Sequence, residues 1–127
     1  MKFRRVILYL FLFFSLIVYA DTFDDVVGAL KSQNVKELSK LFNTTVELTL
    51  NDNEGVYSKQ QAEMMLKNFL SRHQAKNVTI QHRGSSGQGA KYAIANYETT
   101  QGNFRVYIFM KDIGSGLLVH EIRFEKE

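Results

Sequence analysis

Hydrophobic residues recur at helical spacing in two parts of the chain. Between Thr22 and Phe42 they lie three or four positions apart, with a polar break at Ser32-Gln33-Asn34, which predicts two short helices joined by a turn. A third helix is predicted to begin after Ser58, because Ser58-Lys59-Gln60-Gln61 fits a capping box, and to end near His73. Its apolar face is formed by Ala62, Met65, Leu66, Phe69 and Leu70.

Alternation of apolar and polar residues predicts strands in the rest of the chain. Thr45 to Leu50 alternates strictly, and Val56-Tyr57 follows a turn cluster as a short edge strand. A strand is predicted from Val78 to His82, followed by a loop at 84–89. Three long strands come next, joined by a two-residue turn at Gln101-Gly102 and by a longer turn at 112–116.

This register divides the strand residues between two faces of a sheet. The apolar face, which predicts the core, carries Ala93, Ala95, Tyr97, Thr99, Phe104, Val106, Ile108, Met110, Leu118, His120, Ile122 and Phe124. The opposite face is polar at one end and carries Ile94, Tyr107, Phe109, Leu117 and Val119 at the other. An antiparallel sheet usually turns one face to water, so these side chains are candidates for a homodimer interface. Partial exposure on a twisted sheet is the alternative.

The first 20 residues have the composition of a cleavable secretory signal. Residues 1–5 are basic, residues 6–18 are almost continuously apolar, and Val18-Tyr19-Ala20 fits a signal peptidase site. As a helix, residues 6–20 would span about 22 Å, which is shorter than the ~30 Å hydrocarbon core of a bilayer. Cleavage after Ala20 is therefore favoured over membrane anchoring. We expect one domain, residues 21–127, that is periplasmic or secreted and meets a membrane only through the signal segment during export.

Charge and cysteine content exclude several classes of function. The net charge of the 127-residue chain is +3, but removing Lys2, Arg4 and Arg5 leaves 13 basic residues, which balance the 13 acidic ones. A neutral domain lacks the electrostatic term that supplies most non-specific nucleic-acid affinity, so no nucleic-acid partner is expected. The chain has no cysteine, which excludes disulfides and thiolate catalysis. His73, His82 and His120 are scattered, so neither a metal site nor a cofactor is predicted.

The order of these elements resembles the nuclear transport factor 2-like (NTF2-like), or cystatin-like, superfamily. The resemblance implies an α+β fold in which three helices pack on a curved, mainly antiparallel sheet. The leader, Gly55-Val56-Tyr57-Ser58-Lys59 and Val119-His120-Glu121-Ile122-Arg123 are similar to an uncharacterised family of small exported bacterial domains. In the superfamily, sheet and helices enclose a cavity that some members use for acid/base chemistry and others only for binding.

Two functional hypotheses follow from the cavity that the resemblance implies. The first is a non-catalytic domain that binds a small apolar ligand or a protein partner. Its candidate pocket residues are Met65, Phe69, Ala95, Tyr97, Ile108 and His120. The alternative is a small enzyme that uses His120 and Tyr97 for proton transfer or dehydration, since imidazole titrates near neutrality. The predicted register turns Glu98 and Glu121 outward, so the cavity lacks the carboxylate that isomerase chemistry would need.

Overall fold

The computed structural model describes residues 22–114 and 116–127, which form three helices and six strands. The helices are α1 (Thr22–Lys31), α2 (Val35–Ser39) and α3 (Lys59–Arg72). The strands are β1 (Phe42–Leu50), β2 (Asn53–Ser58), β3 (Asn77–Gly87), β4 (Ala90–Thr99), β5 (Gly102–Asp112) and β6 (Leu117–Lys126). The predicted leader and its cleavage site lie outside the described residues. Within the described ranges, no helix is long and apolar enough to cross a membrane.

All six strands form one curved sheet in the order β2-β1-β6-β5-β4-β3. Every neighbouring pair is antiparallel except β1 and β6, which run parallel. The helices pack against one face, and the opposite face is called the outer face below. Alternating residues of β1, β4 and β5 supply the buried side of the sheet, as their sequence pattern predicts. The predicted α+β fold class is confirmed.

The predicted capping box begins α3. The Ser58 hydroxyl accepts a hydrogen bond from the Gln61 backbone N–H at 3.2 Å, and the Gln61 side chain accepts one from the Ser58 N–H at 3.3 Å. These two bonds satisfy donors that would otherwise be free at the first turn. The helix ends at Arg72, and the His73 backbone N–H caps it by bonding the Phe69 and Leu70 carbonyls.

The turn between β4 and β5 differs from its predicted position. The first long hairpin turns at Thr100-Gln101 and not at Gln101-Gly102, since Thr99 pairs with Gly102 across the strands. The pairing therefore shifts by two residues, which leaves every side chain on its predicted face. Glu98 consequently lies opposite Asn103 and not opposite Arg105.

Strand β3 continues through the glycine-rich segment that was predicted to be a loop. Gly84 pairs with Tyr92 on β4, and a Cβ at Gly84 would lie 2.4 Å from the Tyr92 ring. Glycine at this position therefore leaves room for the ring against the edge strand. The turn is at Gln88-Gly89, where φ is +53° and +76°.

A β-bulge at His120 interrupts β6. Phe109 on β5 pairs with Glu121, but the next residue, Met110, pairs with Val119, so His120 has no partner on β5. An extra residue of this kind reverses the faces of all positions on one side of it. From Ile122 onward the residues of β6 keep their predicted faces, and the half before the bulge is reversed.

The bulge overturns four predicted positions on β6. Val119 is fully buried in the core, and Leu117 packs against the core from its edge. His120 lies among outer-face residues, and Leu118 pairs with Lys111 in the same reversed half of the strand. The prediction that Leu118 and His120 face the core is therefore wrong, and so is the prediction that Leu117 and Val119 face outward.

Candidate functional site

Aromatic side chains fill the space between α3 and the sheet. The Phe69 ring centroid is 5.4 Å from that of Phe104 and 5.1 Å from that of Phe124. Tyr97 completes the cluster, with its ring centroid 5.5 Å from that of Phe124. Leu66 packs in the same core and is fully buried. The predicted interior cavity is thus occupied by the side chains of the protein itself.

The Tyr97 hydroxyl is bonded within the fold. It donates to the His73 carbonyl oxygen and accepts a hydrogen bond from the Gln33 side-chain amide at 3.0 Å. Burial raises the pKa of the Tyr97 phenol, so it stays protonated near neutral pH. His120 lies on the other side of the sheet, so the predicted pairing of Tyr97 with His120 is wrong.

The predicted pocket residues do not form one pocket. Ala95, Tyr97 and Ile108 are fully buried in the core, whereas His120 belongs to the outer face. Two candidates remain near one opening, because Met65 and Phe69 both line a surface cleft between α3 and the β1–β2 hairpin. The positions of the core residues explain this outcome, since close packing leaves no room for a ligand among them.

The cleft beside α3 has a volume of about 600 Å³ and mixed polarity. Its apolar floor includes Met65 and Phe69, and its walls include Arg72 and His73. The His73 ring centroid is 4.6 Å from that of Phe69. Burial lowers the pKa of His73, and the nearby Arg72 and Lys126 charges lower it further, so the imidazole is neutral at pH 7. This cleft offers an uncharged donor and acceptor beside apolar surface.

A row of aromatic contacts, here called the outer stack, crosses the outer face from β3 to β6. His82 Nε2 lies 3.2 Å from the Tyr92 hydroxyl, and the Tyr92 ring stacks on Tyr107 with centroids 6.0 Å apart. The Arg123 guanidinium lies 5.0 Å from the Tyr107 ring centroid, within the range of a cation–π contact. The stack joins four strands on the face that the helices do not cover.

A second depression, here called the outer groove, surrounds the bulge. It has a volume of about 380 Å³. Its lining residues are Thr45, Glu47, Val56, Tyr107, Phe109, His120 and Glu121. The His120 Nε2 atom is buried and has no hydrogen-bond partner among the described residues. Buried polar atoms in folded proteins are nearly always bonded, so this nitrogen is an exception that needs an explanation.

Two carboxylates face each other at the same groove. Glu47 on β1 pairs in register with Glu121 on β6. Glu121 is compensated by Arg123, whose guanidinium is 3.3 Å from its carboxylate. Glu47 is half-buried and has no ion pair among residues 22–114 and 116–127. Like charges placed opposite each other destabilise a sheet, so the groove favours a cation.

The predicted interface residues are divided by the bulge. Ile94, Tyr107 and Phe109 lie half-buried on the outer face, whereas Leu117 and Val119 turn to the core. Sequence reasoning missed Val56, which is 68% exposed on the edge strand β2. Alternation along β1 did place Glu47 on the outer side, but nothing in the sequence marked it as lining a groove with His120.

No metal centre accompanies these features in the described ranges. No group of three or more histidine, aspartate or glutamate side chains is placed there to hold a metal ion.

Comparison with known proteins identifies the family. The sequence matches the family described as Domain of unknown function (DUF4783) over residues 23–125. A crystal structure of a DUF4783 family protein from Bacteroides ovatus is similar, with a TM-score of 0.76 and 29% identity, covering 81% of this chain and 93% of that one. A search of curated proteins finds no match.

More distant structures share the fold alone. A variant of a protein named Rd1NTF2 has a TM-score of 0.61 at 9% identity, covering 79% of this chain and 90% of its own. A protein with a cystatin-like fold from Caulobacter vibrioides has a TM-score of 0.64 at 8% identity, covering 83% and 84%. The chain belongs to the DUF4783 family, a family of unknown function with an NTF2-like fold.

Proposed function

We propose that this domain is a non-catalytic binding module whose outer sheet face binds protein, and that its partner is a second copy of the same chain. The observation that carries the proposal is the outer groove, where the Tyr107 and Phe109 side chains lie beside a Glu47 carboxylate that has no ion pair among the described residues. A partner surface would cover the aromatic rings and supply a cation for this carboxylate. Ile94 and the exposed Val56 extend the apolar area on either side.

The absence of a catalytic role is supported by the geometry of the interior. Tyr97 uses its hydroxyl for two bonds inside the protein, and His120 lies on the opposite side of the sheet. Phe69, Phe104 and Phe124 occupy the volume that a substrate would need. Binding at the outer surface does not require a cavity in this interior.

Sedimentation velocity of the purified chain over a range of concentrations tests this function. We expect a reversible dimer, and Phe109→Glu should dissociate it by placing a charge in the apolar surface. Met64→Glu is the matched control, since Met64 is 62% exposed on α3, away from the outer face. A wild-type chain that remains monomeric at millimolar concentration would contradict the proposal. So would equal effects of the two substitutions.

Export is part of the proposal and rests on the signal pattern of residues 1–20. The chain should be recovered outside the cytoplasm with Asp21 as its first residue. Mass spectrometry of the intact protein from the exported fraction measures this directly. Recovery of the full-length chain in the membrane fraction would indicate an anchor instead.

Small-ligand binding in the cleft beside α3 is a second candidate function. It is supported by the neutral His73 imidazole beside apolar surface from Met65 and Phe69, a composition typical of ligand sites. Native mass spectrometry of the protein from the exported fraction should then detect a bound molecule. Met65→Lys should abolish the bound mass, whereas Met64→Lys on the adjacent exposed position should not. A ligand-free wild-type protein would contradict this function.

A further inference from the structure

We infer that the outer groove is a socket for the guanidinium group of Arg105 from a second copy of the chain. The inference rests on the proposed dimer and specifies which groups meet across it. Two identical sockets would form, each filled by the other copy, as the symmetry of a two-fold interface requires.

The groove has the acceptors that a guanidinium needs. Its five N–H groups can donate to the Glu47 carboxylate, which has no ion pair among the described residues. The planar cation can also stack on the Phe109 ring at the groove wall. One occupant therefore neutralises the Glu47 carboxylate and separates the opposed charges of Glu47 and Glu121. A lysine ammonium has neither the planar shape nor the number of donors.

Arg105 is the outer-face arginine that has no partner within the described part of its own chain. It is exposed on β5, where its neighbours in register are Asn96 and Glu125, and it forms no ion pair there. Arg123, the other arginine of this face, is already bound to Glu121, Glu125 and the Tyr107 ring. Arg105 is thus free to reach a second copy.

The strand register makes this pairing compatible with a two-fold axis. Glu47 is in register with Glu121, which is in register with Phe109, and Arg105 lies four residues from Phe109. Glu47 and Arg105 are therefore about 10 Å apart across the strands and about 13 Å apart along them. Arg123 occupies the midpoint between them.

An axis that exchanges the two positions lies at right angles to the line between them, in the plane of the face. From Arg123 it passes between Tyr107 and Phe109 and reaches Tyr92. Arg123, Tyr107 and Tyr92 of the outer stack therefore lie close to the axis, where they would pack against their own copies. Filling the socket and covering the aromatic rings are then achieved by the same arrangement.

Charge exchange between the two positions tests the pairing, with the dimer dissociation constant measured by sedimentation equilibrium. Arg105→Glu should weaken the dimer by about 30-fold or more, the range for removing one partner of a buried charge pair. Lys111→Glu is the control, because it makes the same charge change on the same strand and outside the socket. It should weaken the dimer by less than about 5-fold. Combining Glu47→Arg with Arg105→Glu should restore most of the lost affinity.

The outcomes distinguish the socket from the dimer itself. If the wild type dimerises but Arg105→Glu weakens the dimer no more than Lys111→Glu does, the socket is overturned and the proposed function stands. Failure of the double exchange to restore affinity would overturn the pairing with Glu47. A monomeric wild type would overturn both proposals. As an independent readout, the ¹⁵N resonance of His120 Nε2 should shift on dilution of the wild type and not in Arg105→Glu.

Discussion

Replacing Tyr97 by phenylalanine removes a single hydroxyl group from the centre of the fold. This hydroxyl connects β4 to the cap of α3 through the His73 carbonyl and to the turn after α1 through Gln33. Because the Tyr97 side chain is fully buried, water cannot take the place of the lost group. The two partners lose a hydrogen bond each, which should lower the free energy of unfolding by about 1–3 kcal/mol. The corresponding fall in Tm is about 4–8 °C for each kcal/mol.

The pH dependence of this difference provides a second test. Burial raises the pKa of Tyr97 in the folded protein, so its phenol ionises first in the unfolded chain, at about pH 10. Stability from this group is complete below that pH and is lost as the pH rises toward the folded-state pKa. The phenylalanine variant has no phenol to ionise. The stability difference between the two proteins should therefore shrink above about pH 10.

Urea unfolding followed by circular dichroism, at about pH 7.5 and about pH 11, measures both effects. Tyr57→Phe is the matched control, because the Tyr57 hydroxyl makes no hydrogen bond with any described residue and its side chain is only half-buried. Its free energy of unfolding should change by no more than about 0.5 kcal/mol. A Tyr97 variant as stable as the wild type near neutral pH would refute the reasoning. A difference that stays constant at alkaline pH would refute the role of burial.

Four further predictions concern stability and can be checked by the same urea unfolding. Gly84→Ala should destabilise by about 1–3 kcal/mol, because the new Cβ would displace the Tyr92 ring. Gly28→Ala should instead stabilise by about 0.5–1 kcal/mol, since it lies inside α1 and, apart from its chain neighbours and the backbone of its own helix, no heavy atom of the described residues lies within 4 Å of the new methyl group. Ser58→Ala should cost about 1 kcal/mol through the lost cap. Phe124→Ala should cost about 3–5 kcal/mol by opening a cavity in the aromatic core.

α1 and α3 could be predicted closely because their signals are local, whereas the predicted second helix ran on to Phe42, which begins β1. The capping box at Ser58 and the spacing of Leu66 and Phe69 depend only on neighbouring residues along the chain. The faces of β4 and β5 could be predicted equally well, because a shift of two residues in the turn leaves the alternation from Ala93 to Met110 unchanged. These features determine most of the core.

The outer groove depends on interactions that the sequence pattern does not contain. Its walls come from four strands, and Glu47 and Val56 reach it only through the parallel pairing of β1 with β6 and the addition of β2 at the edge. Gly84 shows the same limit, because its role depends on Tyr92 across the hairpin. A glycine-rich segment on its own favours a loop.

The bulge at His120 predicts that one residue can be deleted from β6 without loss of the fold. Deleting His120 joins Val119 to Glu121, and regular alternation then keeps Val119 in the core and Glu121 on the outer face. The deletion variant should therefore fold and unfold cooperatively, although its dimer should be lost with the socket. Deleting Ile108 on the neighbouring strand removes one residue from a regular register, so every position on one side of it would change face. That variant should show no cooperative unfolding transition in near-ultraviolet circular dichroism. If the His120 deletion behaves like the Ile108 deletion, the bulge is required for folding through the matching irregularity between Phe42 and Glu47 on β1.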